Sequence, residues 1–223
     1  MDRPHNLSTS EVIAMLRLAN RLHVMHDPMS RKRSLIEGLC ELVGGSAGTC
    51  VVVHTDPETQ KATVISGVVY RASAVGDVIR HYESASGAPS APAWPRKSAN
   101  DGNAPLESRL QLPDSTVAAI LCLFHLPDQK EKFTSRHRRL IDLFHAEVNW
   151  IYQTDVLLAS PDALSLSPRA RQTLEHLLAG LSEKEIATRL LLSPNTVHHY
   201  VKSIHKHFGV SSRSELLARW VGK

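Results

Sequence analysis

His198, His199, Lys202 and Lys206 are the residues in this chain whose types and spacing best fit a chemistry. Positions 198, 202 and 205–206 stand at i, i+4 and i+7/8, which is one face of a helix. A lysine there can donate to guanine O6 or N7, and a histidine can donate or accept at a base edge. No acid shares the helix between Pro194 and Phe208. Its opposite face is an apolar stripe of Val197, Val201, Ile204 and Phe208. Those side chains are expected to pack on Leu174, Leu178, Ile186 and Leu190. The four histidines 198, 199, 205 and 207 include no i, i+4 pair and are joined by no cysteine or acid, so a metal site is not expected. His205 and His207 read as plain helix surface.

Charge agrees with a polyanionic partner. Between residues 167 and 223 stand the bases Arg169, Arg171, Lys184, Arg189, Lys202, Lys206, Arg213, Arg219 and Lys223, against Glu175, Glu183, Glu185 and Glu215. The segment is therefore net positive by five, while the whole chain is +4, so residues 1–166 are close to neutral. An excess confined to the last quarter points to nucleic acid.

The elements that must hold those side chains are written in capping signals. Ser167-Pro168 is an N-cap followed by proline at the first helical position, and Gly180 stops that helix. Ser182 with Glu185 is a capping box. Ser193-Pro194 opens the third helix and Gly209 closes it. Ser212 with Glu215 opens a fourth. Two short helices joined by a tight turn make a helix-turn-helix pattern.

Leu166-Ser167-Pro168-Arg169, Gly180–Ala187, Leu192–Val197 and Phe208–Glu215 together resemble the LuxR-type, or GerE-type, helix-turn-helix of bacterial transcription regulators. The match runs over nearly all of 167–221, far more than a short motif. It departs where the family has lysine, here His198, and where it has histidine, here Tyr200. The resemblance implies that His198, His199 and Lys202 read bases. It implies that Lys184, Thr196 and Lys206 hold the DNA backbone. It further implies that the last helix is a dimer seam, through Leu217 and Trp220. Read from the residues alone, Trp220 is either such a seam or folds back over the small domain. A two-fold dimer would meet half-sites about one DNA turn apart.

Ahead of this tail the texture changes. Ser8 with Glu11 caps a helix that keeps its period up to Asp27-Pro28, and a second helix runs from about Ser30 to Val43. Thr49–His54 and Ala62–Tyr70 read as a hairpin. A short helix is expected near Ser73–Tyr82, then a flexible loop over 84–105 in which Trp94 either plugs a pocket or lies exposed. Leu106–Leu112 and Thr116–Leu126 make a second hairpin, its second strand central. One long helix is expected over about Thr134–Leu158 and a linker over 159–166. This order gives an α+β module, an antiparallel sheet with helices on one side, followed by an all-α four-helix domain. On element order and the Phe133-Thr134…Arg138…Leu140 helix start, residues 1–158 are similar to GAF domains, a small-ligand sensor fold. The resemblance implies a sensory or dimerisation role with an unidentified ligand.

Other classes fit less well. Cys122 and His125 lie an odd number of positions apart in one strand, so they point to opposite faces. Gly44-Gly45-Ser46-Ala47-Gly48 has no lysine and opens no helix, unlike a phosphate loop. No enzyme and no cofactor is expected. Asp56 follows a strand, but it reads as a turn residue rather than a phosphoacceptor. Only His26-Asp27-Pro28-Met29 resembles the acyl-homoserine-lactone signature, and its aromatics are missing. Three cysteines make no disulfide framework, and no apolar run approaches a membrane span. A cytoplasmic DNA-binding transcription regulator, dimeric on double-stranded DNA, is the expected function. The alternative is a ligand-sensor or protein-interaction adaptor whose helix-turn-helix no longer binds a specific operator.

Overall fold

The computed structural model describes residues 7–71, 80–83, 104–112, 116–125 and 132–221, with the backbone alone at 71, 80–83, 220 and 221. They fall into two compact units, the first ending at Gln153 and the second beginning at Thr154.

The first unit opens with α1 (Thr9–His23) and α2 (Pro28–Val43). The Ser8–Glu11 capping box is present on α1. Asp27 caps α2, with Pro28 at its first turn and Gly44 in the left-handed region at its end (φ 72°). That φ is where glycine pays no steric penalty. The chain then enters β1 (Ala47–Thr55) and returns as β2 (Ala62–Arg71). Between them Asp56 Oδ1 accepts from the amides of Glu58 and Thr59, at 3.0 and 2.7 Å. The Thr59 amide, first of several donors, holds the Asp56 carboxyl below its ordinary value, as suits a turn residue. With β3 (Arg80–Glu83), β4 (Leu106–Gln111) and β5 (Val117–Phe124), the strands form one antiparallel sheet in the order β3-β2-β1-β5-β4.

One row across this sheet shows how it is packed. Val68, Cys50, Leu121 and Ser108 lie in register on four neighbouring strands. A Cβ at Gly48, on the same face of β1, would collide with Ile36 Cγ2 of α2. Helix α2 therefore sits directly on this face, burying Leu35, Ile36 and Leu39. Helix α3 (Ser135–Glu147) meets the same face, because His145 Nδ1 lies 3.1 Å from Ser108 Oγ. Tyr152 reaches it too, its hydroxyl 2.8 Å from His145 Nε2 and 3.3 Å from Cys50 Sγ. Lys32, fully buried, donates to Ser66 Oγ.

Three expectations are corrected here. The long helix over Thr134–Leu158 ends at Glu147, gives way to a 3-10 turn at Asn149–Tyr152, and resumes as α4 (Gln153–Leu158). A 3-10 turn aligns residues three apart, which lets Val148 and Ile151 bury together and carries Tyr152 into the core. Of the short helix expected near Ser73–Tyr82, positions 80–82 are instead part of strand β3 at Arg80–Glu83, which satisfies the outer edge of β2; positions 73–79 lie outside the described residues, as do 84–103 with Trp94. The linker expected over 159–166 contains α5 (Pro161–Leu164), capped by Ser160, with Ala163 fully buried.

All three cysteines are buried, and none is joined in a disulfide. Burial pushes the Cys122 thiol up to about 12, so it is not a nucleophile near neutral pH. His125 stacks on Phe133, ring centroids 4.0 Å apart. Among the described residues, no group of three or more His, Cys, Asp or Glu could hold a metal. None of the described helices is long and apolar enough to cross a membrane.

Candidate nucleic-acid interface

The second unit is built on α6 (Pro168–Leu178), α7 (Glu183–Leu190), α8 (Pro194–Phe208) and α9 (Arg213–Val221). Ser167 and Ser193 accept from backbone amides at the starts of α6 and α8, each followed by proline. Ser182 and Glu185 complete a capping box on α7. Gly180 and Gly209 both have positive φ. At α9 the Ser212 hydroxyl accepts from the Glu215 amide, and the Glu215 carboxylate accepts from the amide and hydroxyl of Ser211.

These helices close over a small core. Val197, Val201, Ile204 and Phe208 of α8 are buried with Leu174, Ile186, Leu190 and Leu216. Leu177 joins them; Leu178, expected there, is only half-buried. With Ala170 and Leu174, Leu177 completes an i, i+4, i+7 stripe, and Leu178 at i+8 sits on its margin. Arg213 has a structural role that its local sequence does not announce. Its guanidinium donates to the carbonyls of Leu181 and Leu177, at 2.7 and 2.6 Å, which ties α9 to the end of α6.

The turn between α7 and α8 sets the direction in which α8 leaves α7. Leu191 takes a left-handed conformation there, φ 54° and ψ 43°, with 92% of its surface exposed. It therefore bears the strain of that region without any packing in return. Replacing it with glycine should raise the domain's unfolding free energy by roughly 0.5–1 kcal/mol, after the larger chain entropy of glycine is deducted. Thermal melting checks this, and a lower melting temperature for Leu191→Gly would count against it.

With the core set, one face of α8 is left outward. His198, His199, Lys202 and Lys206 are all exposed on it, and Lys184 is exposed on α7. Thr196 is half-buried, its hydroxyl 2.8 Å from the capping Ser193 hydroxyl. Position 205, placed on the outward face from spacing, turns inward: His205 is half-buried and its Nε2 has no hydrogen-bond partner among the described residues. His207 is exposed, as expected of helix surface. Its Nε2 lies 2.9 Å from the Asp162 carbonyl oxygen, linking the end of α8 to α5. The outward face also has an acid neighbour that α8 itself lacks: Glu183 Oε2 of α7 lies 3.1 Å from His198 Nδ1. Leu217 of the expected dimer seam is half-buried; the Trp220 side chain lies outside the described residues.

Residues 164–220 match the family model GerE, described as bacterial regulatory proteins, luxR family. This segment is a GerE domain. Over 63 residues the chain is 43% identical to the "Probable HTH-type transcriptional regulator GfsR" of Streptomyces halstedii, covering 28% of this chain and 26% of that protein. The chain spans about a quarter to a third of the length of the curated relatives it matches. Among solved structures it is similar to "SdiA in complex with octanoyl-rac-glycerol", with TM-score 0.44, 14% identity and 95% of each chain covered. It is also similar to the GAF domain of an Acinetobacter phosphoenolpyruvate-protein phosphotransferase, with TM-score 0.39, 7% identity, and 70% of this chain and 99% of that one covered.

Proposed function

We propose that this protein is a sequence-specific, DNA-binding transcription regulator. One observation carries the reading: the GerE domain leaves His198, His199, Lys202 and Lys206 exposed along one face of α8, with the apolar side chains of that helix turned into the core. A helix of this kind enters the major groove and offers donors and acceptors to base edges. His198, His199 and Lys202 are assigned to the bases. Lys184, Thr196 and Lys206 are assigned to the phosphates and sugars, which position the helix without reading sequence.

Two copies bind together, with Leu217 and Trp220 of α9 at the seam, so the operator is an imperfect palindrome. The first unit receives a signal or pairs two copies. A groove of about 670 Å³ between β4 and α3, lined by Glu107, Arg109, Arg138 and Asp142, offers polar groups to a small molecule.

The test is a selection of bound sequences from a random duplex pool, with the whole chain at physiological salt. An enriched imperfect palindrome is the expected result. A folded dimer that enriches nothing would favour an adaptor instead. Steep weakening with salt accompanies the regulator and not the adaptor.

A further inference from the structure

We propose that Glu183 is a positioning residue that decides which hydrogen-bonding edge His198 offers to a base. The inference rests on the reading of α8 as the helix that enters the groove.

Glu183 is the first residue of α7, and His198 lies in the first turns of α8. The tight turn through Leu191 brings the two together across the helix-turn-helix, Nδ1 to Oε2 at 3.1 Å. A carboxylate oxygen can only accept, so the hydrogen of this contact sits on Nδ1. In the neutral ring, Nε2 is then the acceptor, because one imidazole nitrogen donates and the other accepts. The contact fixes the ring plane as well as the tautomer. Both side chains stay open to solvent, 48% for His198 and 40% for Glu183, so the Nε2 edge is available to a ligand in front of α8.

An outward acceptor selects its base by chemistry. In the major groove the exocyclic amino groups of cytosine and adenine donate, whereas guanine O6 and N7 and thymine O4 accept. His198 held this way therefore favours cytosine N4 or adenine N6 and disfavours guanine and thymine at its contact position. Without Glu183 the ring could turn and change tautomer, and the same histidine would accept either class. A lysine at this position could only donate, so histidine paired with a carboxylate reverses the polarity of the contact.

The experiment is the same pool selection, run on the whole chain as wild type, Glu183→Gln, His198→Ala and the double variant. Glutamine keeps the size of the side chain but can donate as well as accept, so it no longer selects the tautomer. In the wild type, one position per half-site should prefer cytosine or adenine over guanine and thymine by about five- to tenfold. His198→Ala should abolish that preference. Glu183→Gln should flatten it to about twofold or less and leave the remaining consensus in place. Adding Glu183→Gln to His198→Ala should then change nothing at that position. The role of Glu183 is overturned if Glu183→Gln keeps the wild-type preference, or if it shifts affinity by one factor for every sequence, as a surface charge would. A wild-type preference for guanine or thymine there overturns it too. A wild-type pool with no enrichment overturns the reading of α8 itself, and this inference with it.

Discussion

Lowering the pH from 6.5 to 4 should remove about 3 kcal/mol from the stability of the first unit through His145 alone. His145 is fully buried between α3 and the sheet. Burial pulls its pKa from 6.5 down to about 4, with nearby Asp142 opposing part of that shift. Above pH 6.5 the ring is neutral in both the folded and unfolded chain, and the stability is fully present. As pH falls below 6.5, the unfolded chain takes up a proton that the folded chain refuses. Stability then drops by about 1.4 kcal/mol per pH unit until pH 4, where the folded chain is protonated too.

Carboxylates titrate in the same range, so the measurement is a difference between two proteins. Urea unfolding, followed by hydrogen exchange at the amides of β1 and β5, reports this unit by itself. His145→Gln is less stable at pH 7, because it loses the contacts to Ser108 and Tyr152, but it carries no titrating ring. The gap between wild type and His145→Gln should therefore shrink by about 3 kcal/mol between pH 7 and pH 4. Parallel curves would show that the folded ring takes up its proton as readily as the unfolded one.

Around the same histidine the structure depends on contacts that no local stretch of sequence encodes. Nothing local in Thr134–Leu158 announces a 3-10 turn, because the signal is long-range. Tyr152 must reach His145 and, through it, Ser108 on β4. Strand β3 was missed for a related reason: Arg80-His81-Tyr82-Glu83 carries no β-branched residue, and its structure comes from pairing with β2. The second unit was legible because its signals are local. Ser167-Pro168, Ser182…Glu185 and Ser193-Pro194 each set a helix start within four residues. By that standard α5 was readable too, since Ser160-Pro161 is the same device as Ser167-Pro168. At the interface, spacing along α8 placed Lys202 and Lys206 outward, but it could not show Glu183 beside His198, because that contact joins two helices.

Lys202→Ala and Lys184→Ala should separate reading from holding. Both lysines are exposed, Lys202 on the outward face of α8 and Lys184 in the first turn of α7. A lysine on a base edge makes a bond whose strength depends on the base, so its loss costs affinity for the preferred sequence and little for the others. Lys202→Ala should reduce discrimination at one base pair per half-site by about 1–3 kcal/mol. A lysine on a phosphate attracts every duplex alike and releases a counterion when it binds. Lys184→Ala should weaken selected and random duplexes by one common factor and lower the slope of log affinity against log salt by about one per site. Fluorescence anisotropy on the selected operator, its single-base variants and a random duplex, each at several salt concentrations, measures both quantities. Equal losses for both variants on every duplex would show that Lys202 does not read a base and would move recognition to His198 and His199.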